Sequence, residues 1–127
     1  MSGAVLDSSA VLAVFNDEAG GHRVIEWLEG GLLSSVNYAE VMTKLVEKGL
    51  SIDQARQSVA DVGIEVIGYD IDLADRTGEL RTATKRFGLS LADRACLALA
   101  ERENALVLTA DRQWSSLDLG IDVRVIR

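Results

Sequence analysis

Blocks of apolar and polar residues alternate along the chain in a way that predicts strands separated by helices. Short apolar runs predict buried strands at residues 4–6, 32–36, 64–67, 106–108 and 121–126. Apolar residues at helical spacing predict helices at residues 10–15, 22–29, 37–48, 51–62, 70–87 and 90–104. This alternating order implies an α/β domain with a mostly parallel sheet and helices on both of its faces.

The clearest unit is a helix followed by a strand between Leu89 and Asp111. Ser90 can cap this helix and Asp93 falls in its first turn. The buried face of the helix is predicted to carry Ala92, Ala95, Cys96, Leu99 and Ala100. A crossover helix runs antiparallel to the strands it joins. Asp93 and Asp111 should therefore meet at the carboxyl edge of the sheet, where open α/β sheets bind ligands.

Composition favours one globular domain spanning residues 1–127. The chain is 48% hydrophobic and 26% charged, which is typical of a soluble protein. Cys96 is the only cysteine and His22 the only histidine, which excludes a disulfide framework and argues against a cysteine- or histidine-based metal site. We see no signal peptide, and the apolar runs are too short to span a membrane. We therefore expect a cytoplasmic protein with no membrane partner.

The net charge of −7 counts against general nucleic-acid binding. Two local features can reverse that balance. Carboxylates gathered in one site are offset by bound divalent cations. Basic residues also follow one another in the later half of the helix predicted at residues 70–87, where Arg81, Lys85 and Arg86 lie. Arg81 and Lys85 share a face of that helix.

Four acidic residues fall at equivalent points of the predicted fold. Asp7 ends the first strand, Glu40 lies in the first turn of a helix that Asn37 caps, and Asp93 and Asp111 flank the fourth strand. Each has a structural alternative. Asn37-x-x-Glu40 and Ser90-x-x-Asp93 resemble capping boxes, Asp111 can cap a short turn, and Asp7 can simply close its strand, followed by two serines able to cap the next helix.

Together the four carboxylates favour a metal site. Converging carboxylates repel one another and raise some of their pKa values. A divalent cation removes that repulsion, and oxygen ligands without histidine or cysteine suit Mg²⁺ or Mn²⁺. Ser9 and Thr109 are placed to add hydroxyl contacts to the carboxylates or to the waters of the metal.

Four blocks of the sequence resemble the PIN domain family, and in size and element order the VapC-type toxins of toxin–antitoxin pairs. These blocks are Val5–Ser9, Asn37–Val41, Leu91–Asp93 with Leu97–Ala100, and Val107–Asp111. The resemblance implies a three-layer α/β/α fold and an Mg²⁺- or Mn²⁺-dependent endoribonuclease that cleaves structured RNA, often tRNA or ribosomal RNA. It also implies a homodimer and a VapB-like antitoxin that blocks the site.

A role for each site residue follows as a hypothesis. Asp7 and Asp93 hold the principal metal, Glu40 orients or deprotonates the attacking water, and Asp111 supports that metal or helps to hold a second one. One ion and two ions both remain open. The predicted contacts to RNA phosphates are Arg81, Lys85, Arg86, Arg94 and Arg112. Each of these, taken singly, can also be an ordinary solvated charge.

The antitoxin is predicted to lay an amphipathic helix into an apolar groove beside the acids. The predicted lining is Val11, Leu12, Phe15, Val24, Trp27, Leu28, Met42 and Leu45. The alternative is that part of this set is the core beneath the sheet and that residues 22–29 form a small, tightly packed helix.

Two other classes of function share features with this sequence. The first is another metal-dependent phosphotransfer fold. A haloacid dehalogenase would carry Asp-x-Asp where this chain has Asp7-Ser8-Ser9. A receiver domain would carry a lysine after its last strand, and none follows residues 121–126 here. The second is a non-catalytic RNA- or protein-binding PIN-like module. The presence of all four acids argues against it. The sequence leaves open the RNA target, the cleavage position and the identity of the antitoxin.

Overall fold

A five-stranded parallel sheet forms the centre of the molecule. The computed structural model describes residues 3–127, so the first two residues of the predicted domain lie outside the described part. The strands are β1 (Val5–Leu6), β2 (Leu32–Ser34), β3 (Glu65–Ile67), β4 (Val107–Thr109) and β5 (Val123–Val125). Their order across the sheet is β3-β2-β1-β4-β5, and every neighbouring pair is parallel. This confirms the predicted α/β class.

Helices connect the strands. They are α1 (Ser8–Phe15), α2 (Ile25–Leu28), α3 (Ser35–Glu47), α4 (Ile52–Asp61), α5 (Ile71–Glu79), α6 (Arg81–Thr84) and α7 (Leu91–Glu103). Three 3₁₀ turns lie at Gly21–Arg23, Lys85–Phe87 and Arg112–Ser116. Within residues 3–127 no helix combines the length and the apolar character needed to cross a membrane.

Two hydrophobic cores lie on opposite faces of the sheet and give the predicted three layers. Successive residues of a strand point to opposite faces, so Leu6 and Leu108 join one core while Val5 and Val107 join the other. The first core packs the sheet against α1, α3 and α4. The second packs it against α5 and α7, whose residues Cys96 to Ala100 are buried.

The single helix predicted at residues 70–87 is wrong, because the chain divides it into α5, α6 and a 3₁₀ turn. Two buried hydroxyls in this stretch favour such breaks. Thr77 and Thr84 donate to the backbone oxygens of Leu73 and Leu80, at 2.7 and 2.8 Å. Such bonds to the preceding turn bend helices, and Gly78 in the same stretch weakens helix formation further.

The helix predicted at residues 22–29 is also shorter than expected, since only α2 and the preceding 3₁₀ turn form there. Backbone bonds of the tight 3₁₀ type connect Val24 to Gly21 and Trp27 to Val24, at 3.0 and 2.8 Å. The strands predicted at residues 32–36 and 121–126 are likewise shorter, because β2 gives way to α3 after Ser34 and β5 covers only Val123–Val125.

Candidate active site

Asp7 is the buried member of the acidic group. It follows β1 directly, and its backbone N–H donates to Leu108 of β4 at 2.9 Å. Its side chain is only 4% exposed and accepts hydrogen bonds at Oδ2 from Ser9 (2.5 Å) and Thr109 (2.9 Å). The two predicted supporting hydroxyls therefore both contact Asp7. Ser9 lies inside α1 rather than capping it, so the predicted serine caps are wrong.

Burial dominates the electrostatics of Asp7. Loss of water raises its pKa from 3.8 to about 6, while the hydroxyls of Ser9 and Thr109 act in the opposite direction. The negative charges of Asp93 and Glu40 raise this pKa further. Asp93 and Glu40 therefore lie near enough to Asp7 for their charges to act on its carboxylate.

Glu40 is exposed and is held by two donors at a single oxygen. Ser8 donates its hydroxyl to Oε1 at 2.7 Å, and Asn37 donates its amide to the same atom at 3.2 Å. The predicted capping role of Asn37 is wrong, because α3 begins earlier and Ser34 caps it by accepting from the N–H of Val36. Glu40 consequently lies in the second turn of the helix, not the first.

Asp93 closes a capping box at the start of α7. Its carboxylate accepts from the backbone N–H of Ser90 at 2.9 Å, and the Ser90 hydroxyl accepts from the N–H of Asp93 at 3.1 Å. Partial burial raises the pKa of Asp93, the bonds to Ser90 lower it, and the charges of Glu40 and Asp111 raise it again. Asp93 therefore caps the start of α7 and also lies beside the other acids.

Asp111 lies partly buried after β4. Its Oδ1 accepts from the N–H of Gln113 at 3.0 Å and so caps the 3₁₀ turn Arg112–Ser116, as the structural alternative predicts. Its backbone N–H donates to the Thr109 hydroxyl at 3.1 Å. Through Thr109, Asp111 is connected to the same hydrogen-bond network as Asp7.

A buried thiol lies beneath these acids. Burial raises the pKa of Cys96 well above its ordinary value, and the charges of Asp7, Asp93 and Glu40 contribute to the increase. Cys96 is completely buried in the second core. Its proximity to three of the four carboxylates supports their convergence at the carboxyl edge of the sheet.

The donor set fits a hydrated divalent cation. All four candidate ligands are carboxylates, and two of them have pKa values raised by burial and by neighbouring negative charge. A bound cation relieves both effects. As the side chains are placed, no three histidine, cysteine, aspartate or glutamate residues within 3–127 form a preformed metal cluster. Mg²⁺ keeps several waters and takes only one or two carboxylates directly, so its binding does not require a preformed cluster of three ligands.

Comparison with known proteins identifies the family. The family model for the PIN domain matches residues 4–119, which include all four acids. The chain belongs to the PIN domain family. This match sets aside the haloacid dehalogenase and receiver alternatives. Among curated proteins, none matches the sequence.

Solved structures confirm the fold of this PIN domain. A toxin–antitoxin complex from Klebsiella pneumoniae superposes with a TM-score of 0.77 at 19% identity and covers 98% of both chains. DNA-bound VapBC from Salmonella typhimurium has a TM-score of 0.73 at 21% identity and covers 100% of both chains. VapC20 from Mycobacterium tuberculosis, described as a toxin cleaving the sarcin–ricin loop, has a TM-score of 0.69 at 17% identity, covering 89% of this chain and 93% of that one.

The five predicted RNA-contacting residues of this PIN domain fall into two groups. Arg81, Lys85, Arg86 and Arg112 are exposed. Arg86 lies over the ring of Phe87 at 4.7 Å, and both line a cavity with Lys85. Arg94 differs, since it is partly buried and donates to the backbone oxygen of Thr77 at 3.0 Å. Arg94 therefore joins α7 to α5, and its contact with RNA remains a prediction.

Much of the predicted antitoxin groove is core in this PIN domain. The buried members are Val11, Val24, Leu28, Met42 and Leu45. For these five the alternative of core packing holds, because all of them belong to the first hydrophobic core. Leu12, Phe15 and Trp27 remain partly exposed.

The predicted position of Trp27 beside the acids is wrong. Trp27 lines a cavity of about 390 Å³ with Gly3 and Leu106, which precede β1 and β4. This cavity lies at the amino edge of the sheet, opposite Asp7. The guanidinium of Arg124 lies over the Trp27 ring at 5.7 Å. Parallel strands have two distinct ends, and sequence spacing alone did not show which end α2 approaches.

The sequence predicts helix caps at Ser8 and Asn37, but the structure shows both donating hydrogen bonds to Glu40. A usable signal was present for Asn37. It lies one turn before Val41 and two turns before Leu45 on the buried stripe of α3. A polar residue on such a stripe indicates a buried hydrogen bond.

Proposed function

We propose that this PIN domain is a metal-dependent endoribonuclease that hydrolyses phosphodiester bonds in RNA as the toxin of a type II toxin–antitoxin pair. The observation that carries the proposal is the gathering of Asp7, Glu40, Asp93 and Asp111 at one edge of the sheet, where burial and mutual repulsion raise the pKa values of Asp7 and Asp93. PIN domains generally use divalent metal ions and act as nucleases. We expect Mg²⁺ or Mn²⁺, with one or two ions per site.

Asp7 and Asp93 would hold the principal ion, with Asp111 supporting it or holding a second. When bound, the ion lowers the pKa of a coordinated water and stabilises negative charge on the phosphate. Glu40 is the exposed acid, and its second oxygen is not used by the bonds from Ser8 and Asn37. This oxygen can orient the attacking water and accept its proton.

RNA phosphates would contact the basic residues outside the acidic cleft. Lys85 and Arg86 lie in the 3₁₀ turn that leads through Gly88 and Ser90 into α7, so only a short stretch of chain separates them from Asp93. Gly88 adopts a left-handed conformation (φ of 66°), which reverses the chain at this point. A tRNA or ribosomal RNA substrate would place the enzyme in the cytoplasm.

A VapB-like antitoxin and a homodimer belong to the same proposal. The structures from Salmonella typhimurium and Rickettsia felis are described as VapBC bound to DNA, and that from Klebsiella pneumoniae as a toxin–antitoxin complex. A small neighbouring gene whose product copurifies with this chain and suppresses its cleavage of RNA would support the partner. Sedimentation of the free chain at twice its mass would support the dimer.

RNA cleavage with and without divalent metal tests the enzymatic proposal. We expect Mg²⁺ or Mn²⁺ to be required and a chelator to abolish cleavage. Asp7→Asn and Asp93→Asn should each reduce the rate of RNA cleavage by more than the roughly 10- to 100-fold that is typical when a residue only supports a metal ligand. Asp53→Asn, which removes an exposed acid paired with Arg56 on α4, is the matched control. Absence of metal-dependent cleavage by the wild type would favour the non-catalytic alternative.

A further inference from the structure

Asn37 is a completely buried amide next to the carboxylates. Its relative exposure is 0%, and it lies on the apolar stripe of α3 with Val41 and Leu45. Buried amides are normally fully hydrogen-bonded. Here the Nδ2 group makes two bonds, whereas Oδ1 is buried without a partner in the described chain. All hydrogen bonds of the Asn37 side chain are therefore donated by its nitrogen, Nδ2.

The two bonds from Nδ2 join two elements that carry acids. One reaches Oε1 of Glu40 on α3 at 3.2 Å, and the other reaches the backbone oxygen of Ala92 on α7 at 3.2 Å. Ala92 directly precedes Asp93. A single amide thus connects the carboxylate of Glu40 to the turn that presents Asp93.

Ser8 completes this arrangement from a third element. Its hydroxyl donates to the same Oε1 of Glu40 at 2.7 Å. Glu40 is exposed, and an exposed glutamate samples several rotamers unless its neighbours restrain it. Two donors on Oε1 restrain the side chain while leaving Oε2 unused by either bond. Preorganised carboxylates of this kind depend on the surrounding residues that orient them.

We propose that Asn37 is a positioning residue of the nuclease site, which fixes the orientation of Glu40 and its spacing from Asp93. The inference rests on the proposed function, because it assigns Asn37 a role in metal binding and water activation by those acids. Asn37 acts through Glu40 and the start of α7 and does not itself contact substrate. An interpretation based on stability alone makes a different prediction for function. Since Oδ1 is unpaired, an apolar side chain of similar shape should then change neither metal affinity nor kcat.

Asn37→Leu tests the proposal, because it removes both bonds and keeps a branched side chain in the same space. We expect the variant to remain folded by circular dichroism and thermal unfolding. Its Mn²⁺ dissociation constant, measured by calorimetry, should rise about 10-fold or more, and kcat for RNA cleavage should fall about 10- to 100-fold with KM unchanged. Thr77→Val is the matched control, since it removes a buried hydroxyl that bonds only within α5.

A double-mutant cycle shows whether Asn37 acts through Glu40. Glu40→Gln alone should reduce kcat strongly. If Asn37 only positions Glu40 and the turn beside it, adding Asn37→Leu to Glu40→Gln should cost much less than it does in the wild-type background. Fully additive losses in kcat would overturn the proposed route through Glu40.

The outcomes separate this inference from the proposed function. Wild type that cleaves RNA, with Asn37→Leu equal to it in Mn²⁺ affinity and kcat, would overturn the role of Asn37 and leave the function standing. Wild type that binds Mn²⁺ without cleaving RNA would overturn the function, and the Mn²⁺ affinity of the variant would still decide the role of Asn37. A wild type that neither binds Mn²⁺ nor cleaves RNA would overturn both the role of Asn37 and the proposed function. If Asn37→Leu does not fold, the smaller Asn37→Ser is measured in the same way.

Discussion

The carboxylate of Asp7 accepts a 2.9 Å hydrogen bond from the hydroxyl of Thr109, across two neighbouring parallel strands. The register explains this contact, because Leu6 pairs with Leu108 and so places the next residue of each strand side by side. Thr109 is itself completely buried. A charged group that has lost most of its water is thus stabilised by a hydroxyl delivered from the adjacent strand.

Thr109→Val should raise the pKa of Asp7 above about 6. The hydroxyl favours the charged form, and valine keeps the branched shape without the donor. Carboxyl NMR titration of the metal-free protein measures the change directly. Thr84→Val is the control, because the Thr84 hydroxyl donates to Leu80 in the adjoining helical turn. An Asp7 titration that Thr109→Val does not move would mean that this hydrogen bond does not stabilise the carboxylate.

Asp7→Asn should stabilise the metal-free protein at neutral and higher pH. The pKa of Asp7 is 3.8 when unfolded and about 6 when folded, so the folded state binds its proton more tightly. This group therefore contributes stability that is fully present below pH 3.8 and is lost as the pH rises through about 6. The difference corresponds to about 3 kcal/mol of unfolding free energy. The asparagine variant avoids that loss.

Urea unfolding at a series of pH values, with chelator present, measures this effect. The gain of Asp7→Asn over wild type should be largest above about pH 6 and should shrink as the pH approaches 3.8. Asp53→Asn reports what removal of an exposed acid does under the same conditions. A gain for Asp7→Asn that is constant across this range would show that titration of Asp7 is not its cause.

The position of the acids at one edge of the sheet can be predicted from the sequence where local pattern and topology agree. Asp93 and Asp111 flank a helix and a strand whose periodicity is unambiguous, and the direction of a crossover helix brings them to one edge. Asp7 follows from the same rule. The sequence does not show how far an acid is buried, and the raised pKa of Asp7 depends on packing from α1 and β4 together.

Prediction failed where two local rules competed. Asn37 and Ser8 are both residue types that often cap helices, yet Ser34 and Asp7 occupy the capping positions. Serine, asparagine and aspartate are nearly equivalent at such positions, so the position of the strand end decides which one is used. That position follows from sheet register, which depends on residues distant in sequence.

Mn²⁺ should raise the unfolding temperature of the wild type and have a much smaller effect on Asp7→Asn and Asp93→Asn. A ligand that binds only the folded state stabilises it by about 2.7 kcal/mol at a concentration 100 times its dissociation constant. Loss of one carboxylate weakens binding and so removes most of that gain. Thermal unfolding with and without Mn²⁺ gives the comparison, and Asp53→Asn should respond as the wild type does. Equal shifts in Asp7→Asn and wild type would place the metal elsewhere.

Replacing Arg81 and Lys85 together with glutamine should weaken RNA binding and flatten its dependence on salt. Each phosphate contact that is lost lowers the slope of log affinity against log salt by about 1, so the pair should lower it by about 2. Binding is measured in the Asp7→Asn background to prevent cleavage during the titration. Lys44→Gln with Arg56→Gln removes the same charge from exposed positions on α3 and α4, and should change the slope much less. Equal changes in the two double variants would mean that Arg81 and Lys85 act only through net charge. The unequal change that we expect would place the RNA backbone along α6 and the 3₁₀ turn that leads to Asp93.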